Sequence, residues 1–270
     1  MKTRIIAGAV FTLVLAVTFF LTPTAVAAVT MAFMTAVASY ELLHTTGLVK
    51  QWGLNVCSAV MAVLVVLWSY FGCGYASMLL GVLCYLMLLF GQLLLSSGKT
   101  PVAQVGYCLL SGLLIPFLLT ALLRIRLGED GKILLLTPFI MAYCSDTGAY
   151  FVGVTLGKHK MCPNISPKKS WEGFVGGVLI AVLGMLLFAL VLDRGLGRDV
   201  NYGFAILYGI VGALGSVFGD LSMSVIKRQT GIKDYGKLIP GHGGILDRFD
   251  SVMITAPLTE ALLLILPFVV

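Results

Sequence analysis

Long apolar stretches separated by short polar segments make up most of this 270-residue chain. A helix needs about 20 mostly apolar residues to cross a bilayer, so the pattern predicts an all-α, polytopic transmembrane helix bundle with about nine spanning segments. The predicted spans are residues 5–21, 24–43, 54–71, 74–96, 103–122, 133–153, 173–193, 203–225 and 252–270. The longest polar stretches, residues 155–172 and 226–251, lie between spans, so we expect one integral membrane unit without a water-soluble domain.

The composition agrees with a membrane protein, because 59% of the residues are hydrophobic and 11% are charged. Soluble globular domains carry about 25% charged residues. The N-terminus also fits a secretory signal peptide, since Lys2 and Arg4 precede an apolar stretch that reaches small residues at 25–27. The apolar character continues to Tyr40, which favours an uncleaved span. A tight hairpin, a kinked long helix and an interfacial segment all stay open for residues 1–43.

The distribution of Lys and Arg predicts the orientation of the chain. Most of them fall at the N-terminus and in the two long polar stretches, which the positive-inside rule assigns to the cytoplasm. We therefore expect a protein of the inner (cell) membrane with its active site facing the cytoplasm. The net charge of +6 suggests an anionic substrate or lipid headgroups, not nucleic acid. Charged residues are sparse in 1–130, so we expect a transmembrane scaffold there and a catalytic region over 131–270.

Three aspartates lie beside apolar segments, where a charge is costly. Asp220 is near the end of one apolar segment, and Asp247 and Asp250 precede the last one at a spacing that predicts neighbouring positions on one helix face. If the intervening chain folds back, Asp220 faces Asp247. Paired carboxylates near phosphates suit Mg²⁺, and this hypothesis outweighs the alternative that the acids only balance nearby basic side chains.

The stretch Pro240–Gly244 is a candidate phosphate cradle. Its glycines allow backbone N–H groups to turn towards an anion, and His242 can donate a hydrogen bond to a phosphate oxygen. By itself the motif also fits a plain turn. The surrounding cations Lys233, Lys237 and Arg248 favour the phosphate interpretation.

The second polar stretch contains Ser166–Gly173, with Lys168 and Lys169 just before a span and Trp171 at the expected interface. The pattern fits a positively charged membrane anchor. It fits equally well a pair of cations that hold the phosphates of a headgroup or a nucleotide, so both interpretations stay open.

Several ionisable residues lie within or at the ends of spans. Asp146, in the sixth span, is a candidate metal ligand or a group that positions a substrate hydroxyl. Glu260 fits a structural and a functional role equally well. Glu41 and His44 end the second span, and we expect them to be interfacial.

The second half of the chain also carries a long run with fixed gaps: Ser224-x-x-Lys227-Arg228-x4-Lys233-Asp234-x-Gly236-x2-Ile239-Pro240-Gly241-His242-Gly243-Gly244-x-Leu246-Asp247-Arg248-x-Asp250. This run closely resembles the signature of the phosphatidate cytidylyltransferases, or CDP-diacylglycerol synthases. Residues 145–150 and 166–173 resemble the same family. The resemblance is strong over about residues 140–252 and extends to the first half only in hydropathy.

The resemblance implies a reaction in which CTP and phosphatidic acid give CDP-diacylglycerol and pyrophosphate in phospholipid biosynthesis. It implies Asp220 and Asp247 as metal ligands, with Asp250 and Asp146 as further catalytic carboxylates. Mg²⁺ is the expected metal, with room for a second cation such as K⁺. The lipid monophosphate is ionised near neutral pH, so a general base is not required.

The resemblance also implies how the substrates are held. CTP phosphates or the departing pyrophosphate would be bound by Ser224, Lys227, Arg228, Lys233, Asp234, Lys237, His242, Gly243, Gly244 and Arg248. Lys168 and Lys169 would hold the lipid phosphate or the nucleotide. A CTP-dependent kinase of the polyprenol type and an anion transporter are the alternatives, and we expect a homodimer.

Overall fold

The computed structural model describes residues 2–97, 100–238, 241 and 243–269, and only the backbone of residues 2–7. The described part is mostly helical, and it also contains one two-stranded hairpin, an isolated bridge between Val200 and Val269, and irregular connections. It divides into two compact units. The first unit contains Met1–Glu129 and Gln229–Phe249, and the second contains Asp130–Arg228 and Asp250–Val270.

The first unit consists of helices from the N-terminal half and one polar segment. Its elements are α1 (Lys2–Ala16) with a π turn at Val17–Leu21, α2 (Thr24–Tyr40) with a π turn at Glu41–Thr45, α3 (Trp52–Phe71), α4 (Tyr75–Leu95), α5 (Ala103–Leu109) with a π turn at Leu110–Leu114, α6 (Ile115–Leu119) and α7 (Ala121–Leu127). We call residues 229–249 the glycine-rich segment; it contains the short helix α12 (Leu246–Phe249).

The second unit contains the remaining helices and the hairpin. Its elements are α8 (Gly131–Leu134), α9 (Leu136–Leu156), β1 (Lys160–Cys162), β2 (Ser166–Ser170), α10 (Trp171–Leu190) with a π turn at Val191–Gly195, α11 (Tyr202–Gln229, whose last residue belongs to the first unit) and α13 (Val252–Ile265). The strands are antiparallel, with Lys160 opposite Ser170. We call residues 157–170 the hairpin segment.

Each unit has its own apolar core. In the first unit, Leu54, Val65 and Leu89 are buried in a cluster that also contains Tyr85, whose hydroxyl donates a 2.8 Å hydrogen bond to the Cys108 carbonyl. The satisfied hydroxyl explains how a polar group is tolerated in this core. In the second unit, Phe268 packs with Tyr208 at a ring-centroid distance of 4.8 Å.

Six helices of the described part are long and apolar enough to cross a membrane: Thr24–Thr45, Trp52–Phe71, Tyr75–Leu95, Ala103–Leu127, Trp171–Gly195 and Tyr202–Gln229. Two shorter apolar helices, Gly8–Leu21 and Val252–Ile265, coincide with the first and last predicted spans. Residues 136–156, where a sixth span was predicted, form a helix as well. The helices fit an integral membrane protein, and the count of about nine spans stays a prediction.

Two local expectations differ from the structure. The polar stretch before Trp171 forms a β-hairpin, although the sequence pattern predicts only helices and loops. The helix expected to carry both Asp247 and Asp250 is broken, because α12 ends at Phe249 and Asp250 lies in a turn before α13. Asp247 and Asp250 therefore do not share one helical face.

Candidate functional site

Asp146 is held by two serines in the second unit. It lies on α9, and its carboxylate accepts hydrogen bonds from Ser216 Oγ at 3.2 Å and from Ser251 Oγ at 3.3 Å. Ser216 belongs to α11, and Ser251 directly precedes α13. One partly buried carboxylate thus connects three parts of the unit, and such a hydrogen-bonded polar group fixes a local geometry.

Glycines let α9 and α10 approach closely beside Asp146. A Cβ atom added to Gly148 would lie 2.8 Å from the Gly176 carbonyl oxygen, and one added to Gly177 would lie 2.7 Å from the Ser145 carbonyl oxygen. Both distances are far shorter than ordinary contacts. Small residues permit such close backbone packing between apolar helices, and the expectation that the Gly173–Gly177 motif serves helix packing fits this geometry.

Asp220 forms an ion pair with the hairpin segment. Lys169 Nζ lies 2.6 Å from Asp220 Oδ2, and both side chains are largely shielded from solvent. Ser224, one turn along α11, donates to Asp220 Oδ1 at 3.3 Å. Lys169 thus offsets part of the cost of a carboxylate beside apolar helices. The structure therefore brings Lys169, Asp220 and Ser224 together, as three of the predicted site residues.

A cavity of about 250 Å³ lies in the second unit. Its polar lining includes the predicted site residues Asp146, Lys168, Lys169 and Asp220, together with Ser166 and Ser170. The remaining lining is mostly apolar and comes from Ala149, Tyr150, Met161, Gly173, Phe174 and Val217. A cavity with charged and apolar walls suits a molecule that is itself part charged and part apolar.

Asp250 lies close to α11. A Cβ atom added to Gly219 would lie 2.4 Å from the Asp250 carbonyl oxygen, so only a glycine fits there. The Ser251 backbone N–H donates to Asp250 Oδ1 at 2.8 Å. Burial raises the pKa of the Asp250 carboxyl to about 7; the charge of Asp220 adds to the shift, and Lys227 opposes it.

Glu172 ties the hairpin segment to the start of α10. Its carboxylate accepts the backbone N–H of Lys158 at 3.1 Å and that of His159 at 3.2 Å. His159 Nδ1 also lies 2.5 Å from Glu172 Oε1. Ser170 caps the same helix by accepting the Gly173 N–H at 3.1 Å. These contacts position the strand that carries Lys168 and Lys169.

Asp247 organises the glycine-rich segment in the first unit. Its Oδ2 accepts the backbone N–H of Tyr235 at 2.7 Å and that of Gly244 at 3.0 Å. Gly243 has a φ of +87°, which favours glycine, and a Cβ atom there would lie 2.6 Å from Asp247 Oδ2. Asp247 is thus the centre of a folded turn, and its predicted role as a metal ligand stays a prediction.

Glu41 is buried within the first unit, and its position at the membrane interface stays a prediction. Only 3% of the residue is exposed. Its two carboxylate oxygens accept the backbone N–H groups of Ile245 at 3.1 Å and Leu246 at 3.0 Å. The glycine-rich segment thus covers the end of α2. The signal in the sequence was an acid within an apolar segment, which marks a functional candidate.

The other predicted site residues divide by exposure. Lys168, Arg228, Lys233, Asp234, Lys237 and Arg248 are exposed, whereas Ser224 and Lys227 are buried. Arg228 Nε donates to the Ile165 carbonyl at 3.2 Å. His242 lies outside the described residues. The predicted role of these residues in binding phosphates stays a prediction.

Among the described residues, no group of three or more His, Cys, Asp or Glu side chains is arranged to hold a metal ion. Asp220 and Asp247 belong to different units. That the two carboxylates lie close enough to bind one metal ion stays a prediction. Asp146 and Asp220 line one cavity, and two carboxylates completed by phosphates and water are a usual donor set for Mg²⁺.

Comparison with known proteins identifies relatives of the chain. Residues 2–266 match the model of the cytidylyltransferase family. Phosphatidate cytidylyltransferase of Haemophilus influenzae is 40% identical over 165 residues, which cover 59% of this chain and 56% of that protein. The enzyme of the same name from Staphylococcus epidermidis is 35% identical over 184 residues, covering 68% of each chain.

A third relative agrees with these two. Phosphatidate cytidylyltransferase of Staphylococcus saprophyticus is 36% identical over 177 residues, 66% of each chain. The matched stretches thus span between 56% and 68% of the length of these three relatives. The family model, by contrast, covers nearly all of the present sequence, including both units and the polar segments described above. The chain therefore belongs to the cytidylyltransferase family.

Proposed function

We infer that this protein transfers the cytidylyl group of CTP to phosphatidic acid, giving CDP-diacylglycerol and pyrophosphate. The observation that carries the proposal is the cavity of the second unit, where Asp146, Asp220 and Lys169 lie beside apolar side chains. Family membership and the names of the relatives support the same reaction.

The cavity suits the phosphate end of a lipid. Lys168 and Lys169 supply positive charge, and Tyr150 and Phe174 supply apolar surface next to it. A lipid phosphate would exchange water for these cations while the adjoining glycerol and acyl groups stay in contact with apolar walls. Asp220 already neutralises part of the charge of Lys169. The two lysines would therefore bind the lipid phosphate with an affinity that still allows the product to dissociate.

The reaction exchanges one phosphorus–oxygen bond for another. An oxygen of the lipid phosphate attacks the α-phosphorus of CTP, and the bond from that phosphorus to the oxygen bridging the β-phosphorus breaks. Pyrophosphate leaves with the electron pair. The attacking oxygen is already ionised near neutral pH, so the residues contribute positioning and neutralisation of charge. Lys168 and Lys169 would align the acceptor, and Lys227 and Arg228 would balance the charge of the leaving group.

Asp146 and Asp220 are the described residues that would hold Mg²⁺ through one or two carboxylates, with Asp250 supporting them and Asp247 as the predicted second ligand. Bound Mg²⁺ neutralises negative charge on phosphates during transfer. Lys169 Nζ lies 2.6 Å from Asp220 Oδ2, so the lysine and the metal would share this carboxylate. A second cation such as K⁺ belongs to the proposal as well.

The glycine-rich segment would bind the nucleotide. Lys233, Lys237 and Arg248 are exposed on it, and Gly243 and Gly244 bring backbone close to Asp247. The predicted contacts of Ser224, Asp234 and His242 belong to the same binding role. We also propose that the protein is a homodimer of the cell membrane with about nine spans and a cytoplasm-facing site.

The test is to incubate purified protein with phosphatidic acid, Mg²⁺ and CTP labelled at the α-phosphate, and to identify both products. We expect labelled CDP-diacylglycerol and unlabelled pyrophosphate. Release of CDP with a phosphorylated lipid would instead indicate a CTP-dependent lipid kinase. Movement of phosphate across sealed vesicles without CTP would indicate an anion transporter.

A further inference from the structure

We propose that Glu41, in the N-terminal half of the chain, is a positioning residue for the nucleotide-binding glycine-rich segment. The inference rests on the proposed function, because it assigns that segment to CTP. Glu41 lies about 200 residues before the segment in sequence and outside the run that resembles the family signature. It acts through backbone groups and need not touch the substrate.

Both oxygens of Glu41 are used. Oε1 accepts the Ile245 N–H at 3.1 Å, and Oε2 accepts the Leu246 N–H at 3.0 Å. Asp247, the next residue, is the predicted metal ligand. A bidentate acceptor fixes both the distance and the orientation of the two peptide groups that precede Asp247.

The glycine-rich segment is shaped to receive this carboxylate. A Cβ atom at Gly236 would lie 2.4 Å from Glu41 Oε1, and one at Gly244 would lie 2.3 Å from the same oxygen. Both glycines therefore leave room for the Glu41 carboxylate, which lies next to the backbone at residues 236 and 244. The fit depends on the glycines as well as on the glutamate.

A second contact from the same π turn supports the role. Thr45 Oγ1 donates a hydrogen bond to the Tyr235 carbonyl oxygen, and the Tyr235 N–H is bound by Asp247. Glu41 therefore contacts the C-terminal part of the segment, and Thr45 contacts its N-terminal part. Lys237, Gly243 and Gly244 lie between these two contacts in sequence. The residues proposed to bind phosphate are therefore anchored on both sides by the end of one helix.

The variant that tests the proposal is Glu41→Gln, which keeps the size of the side chain but can accept only through one oxygen. Hydrogen–deuterium exchange of the substrate-free protein in detergent reads the contact directly. We expect faster exchange at Ile245 and Leu246 in the variant. Glu129→Gln is the matched control, because Glu129 is exposed in the same unit, and it should exchange as the wild type does.

Steady-state kinetics read the consequence for function. We expect Glu41→Gln to raise KM for CTP by about 10- to 100-fold, since small displacements of a positioning group have effects of this size. KM for phosphatidic acid should change by less than about twofold, because the cavity assigned to the lipid lies in the second unit. A purely structural role would lower the melting temperature and leave the ratio of the two KM values unchanged.

A second variant guards against a folding defect. Glu41→Asp keeps the charge and draws the carboxylate back by one methylene group, so it should fold and still raise KM for CTP. Unchanged exchange at residues 245 and 246 in both variants would overturn the proposal, as would faster exchange with an unchanged KM for CTP. Wild-type protein without cytidylyltransferase activity would refute the proposed function and the link to CTP, while faster exchange would still establish the contact.

Discussion

The glycine-rich segment of the first unit and the hairpin segment of the second are held in the same way but in different surroundings. Each has two backbone N–H groups bound by one glutamate of an apolar helix: Glu41 for the first and Glu172 for the second. Glu41 is buried, whereas 27% of the Glu172 side chain and 79% of the His159 side chain are exposed.

This difference in burial determines how much one hydrogen bond contributes to stability. A buried N–H that loses its acceptor has no water to replace it, which costs about 1–3 kcal/mol. An exposed N–H finds water instead, and exposed ion pairs contribute about 0–1 kcal/mol. We therefore expect the glycine-rich segment to depend on Glu41 much more than the hairpin segment depends on Glu172.

The largest loss of activity should come from changing a carboxylate proposed to lie at the reacting phosphates. Such a change affects the chemical step, whereas the Glu41 variants affect the position of the glycine-rich segment. Asp220→Asn removes the partner of Lys169 and a proposed metal ligand. We expect kcat to fall by about 10²–10³-fold or more, measured as CDP-diacylglycerol formed in detergent with Mg²⁺. Asp199→Asn, an exposed change in the same unit, should leave turnover unchanged. Near-normal turnover of the Asp220 variant would contradict its assignment.

The next effect tests how tightly the glycine-rich segment surrounds Glu41. Gly244→Ala places a methyl group where a Cβ atom would lie 2.3 Å from Glu41 Oε1. We expect a loss of about 1–3 kcal/mol in stability, as for overpacking, seen as a lower melting temperature. Gly106→Ala is the control, because nothing lies within 4 Å of its Cβ position and helical alanine should stabilise. If Gly244→Ala and the wild type had equal melting temperatures, the backbone around Glu41 could move to accommodate the methyl group, and the tight fit would not be needed for stability.

A pH experiment examines Asp250, which directly follows the glycine-rich segment. An unfolded aspartate ionises above about pH 4, whereas folded Asp250 keeps its proton up to about pH 7. Folding thus takes up a proton in this window, and stability falls as pH rises through it. With a chelator present, the melting temperature of the wild type should fall by several degrees from pH 5 to pH 8. Asp250→Asn should lack this slope, and identical slopes would contradict burial as the cause.

The smallest effect is expected at the hairpin segment. Glu172→Gln removes one of two charged acceptors, but Lys158 and His159 are exposed and can bind water. The change in unfolding free energy should stay within about 1 kcal/mol, and KM for CTP should not move. Thermal unfolding and steady-state assays beside Glu41→Gln check this. An effect as large as that of Glu41→Gln would mean that burial does not explain the difference between the segments.

The sequence predicted the mostly helical fold and named residues that line the cavity of the second unit. Hydropathy located the helices because hydrocarbon requires long apolar stretches. Asp146 and Asp220 were candidates because charge beside apolar helices is costly. Lys168 and Lys169 were candidates as paired cations for phosphates, and all four residues line one cavity. These inferences are local in sequence, which is why they could be made from single segments.

Contacts between distant segments were not predictable. The contacts of Glu41 were missed because nothing in α2 indicates that residues 245 and 246 return to it. The hairpin was missed because Pro167, Lys168 and Lys169 give no alternating apolar pattern for strands. The break between Phe249 and Asp250 was missed because spacing of three residues suggests a helix wherever hydropathy is high.

The π turn at Glu41–Thr45 also limits how the length of this chain can vary. Such a turn contains one residue more than the α-helical turn it replaces. Deleting a single residue there would restore regular winding, and we expect it to disturb the paired contacts of Glu41 with Leu246 and of Thr45 with Tyr235. The spacing of Glu41 and Thr45 is therefore expected to matter for the glycine-rich segment in addition to the identity of either residue.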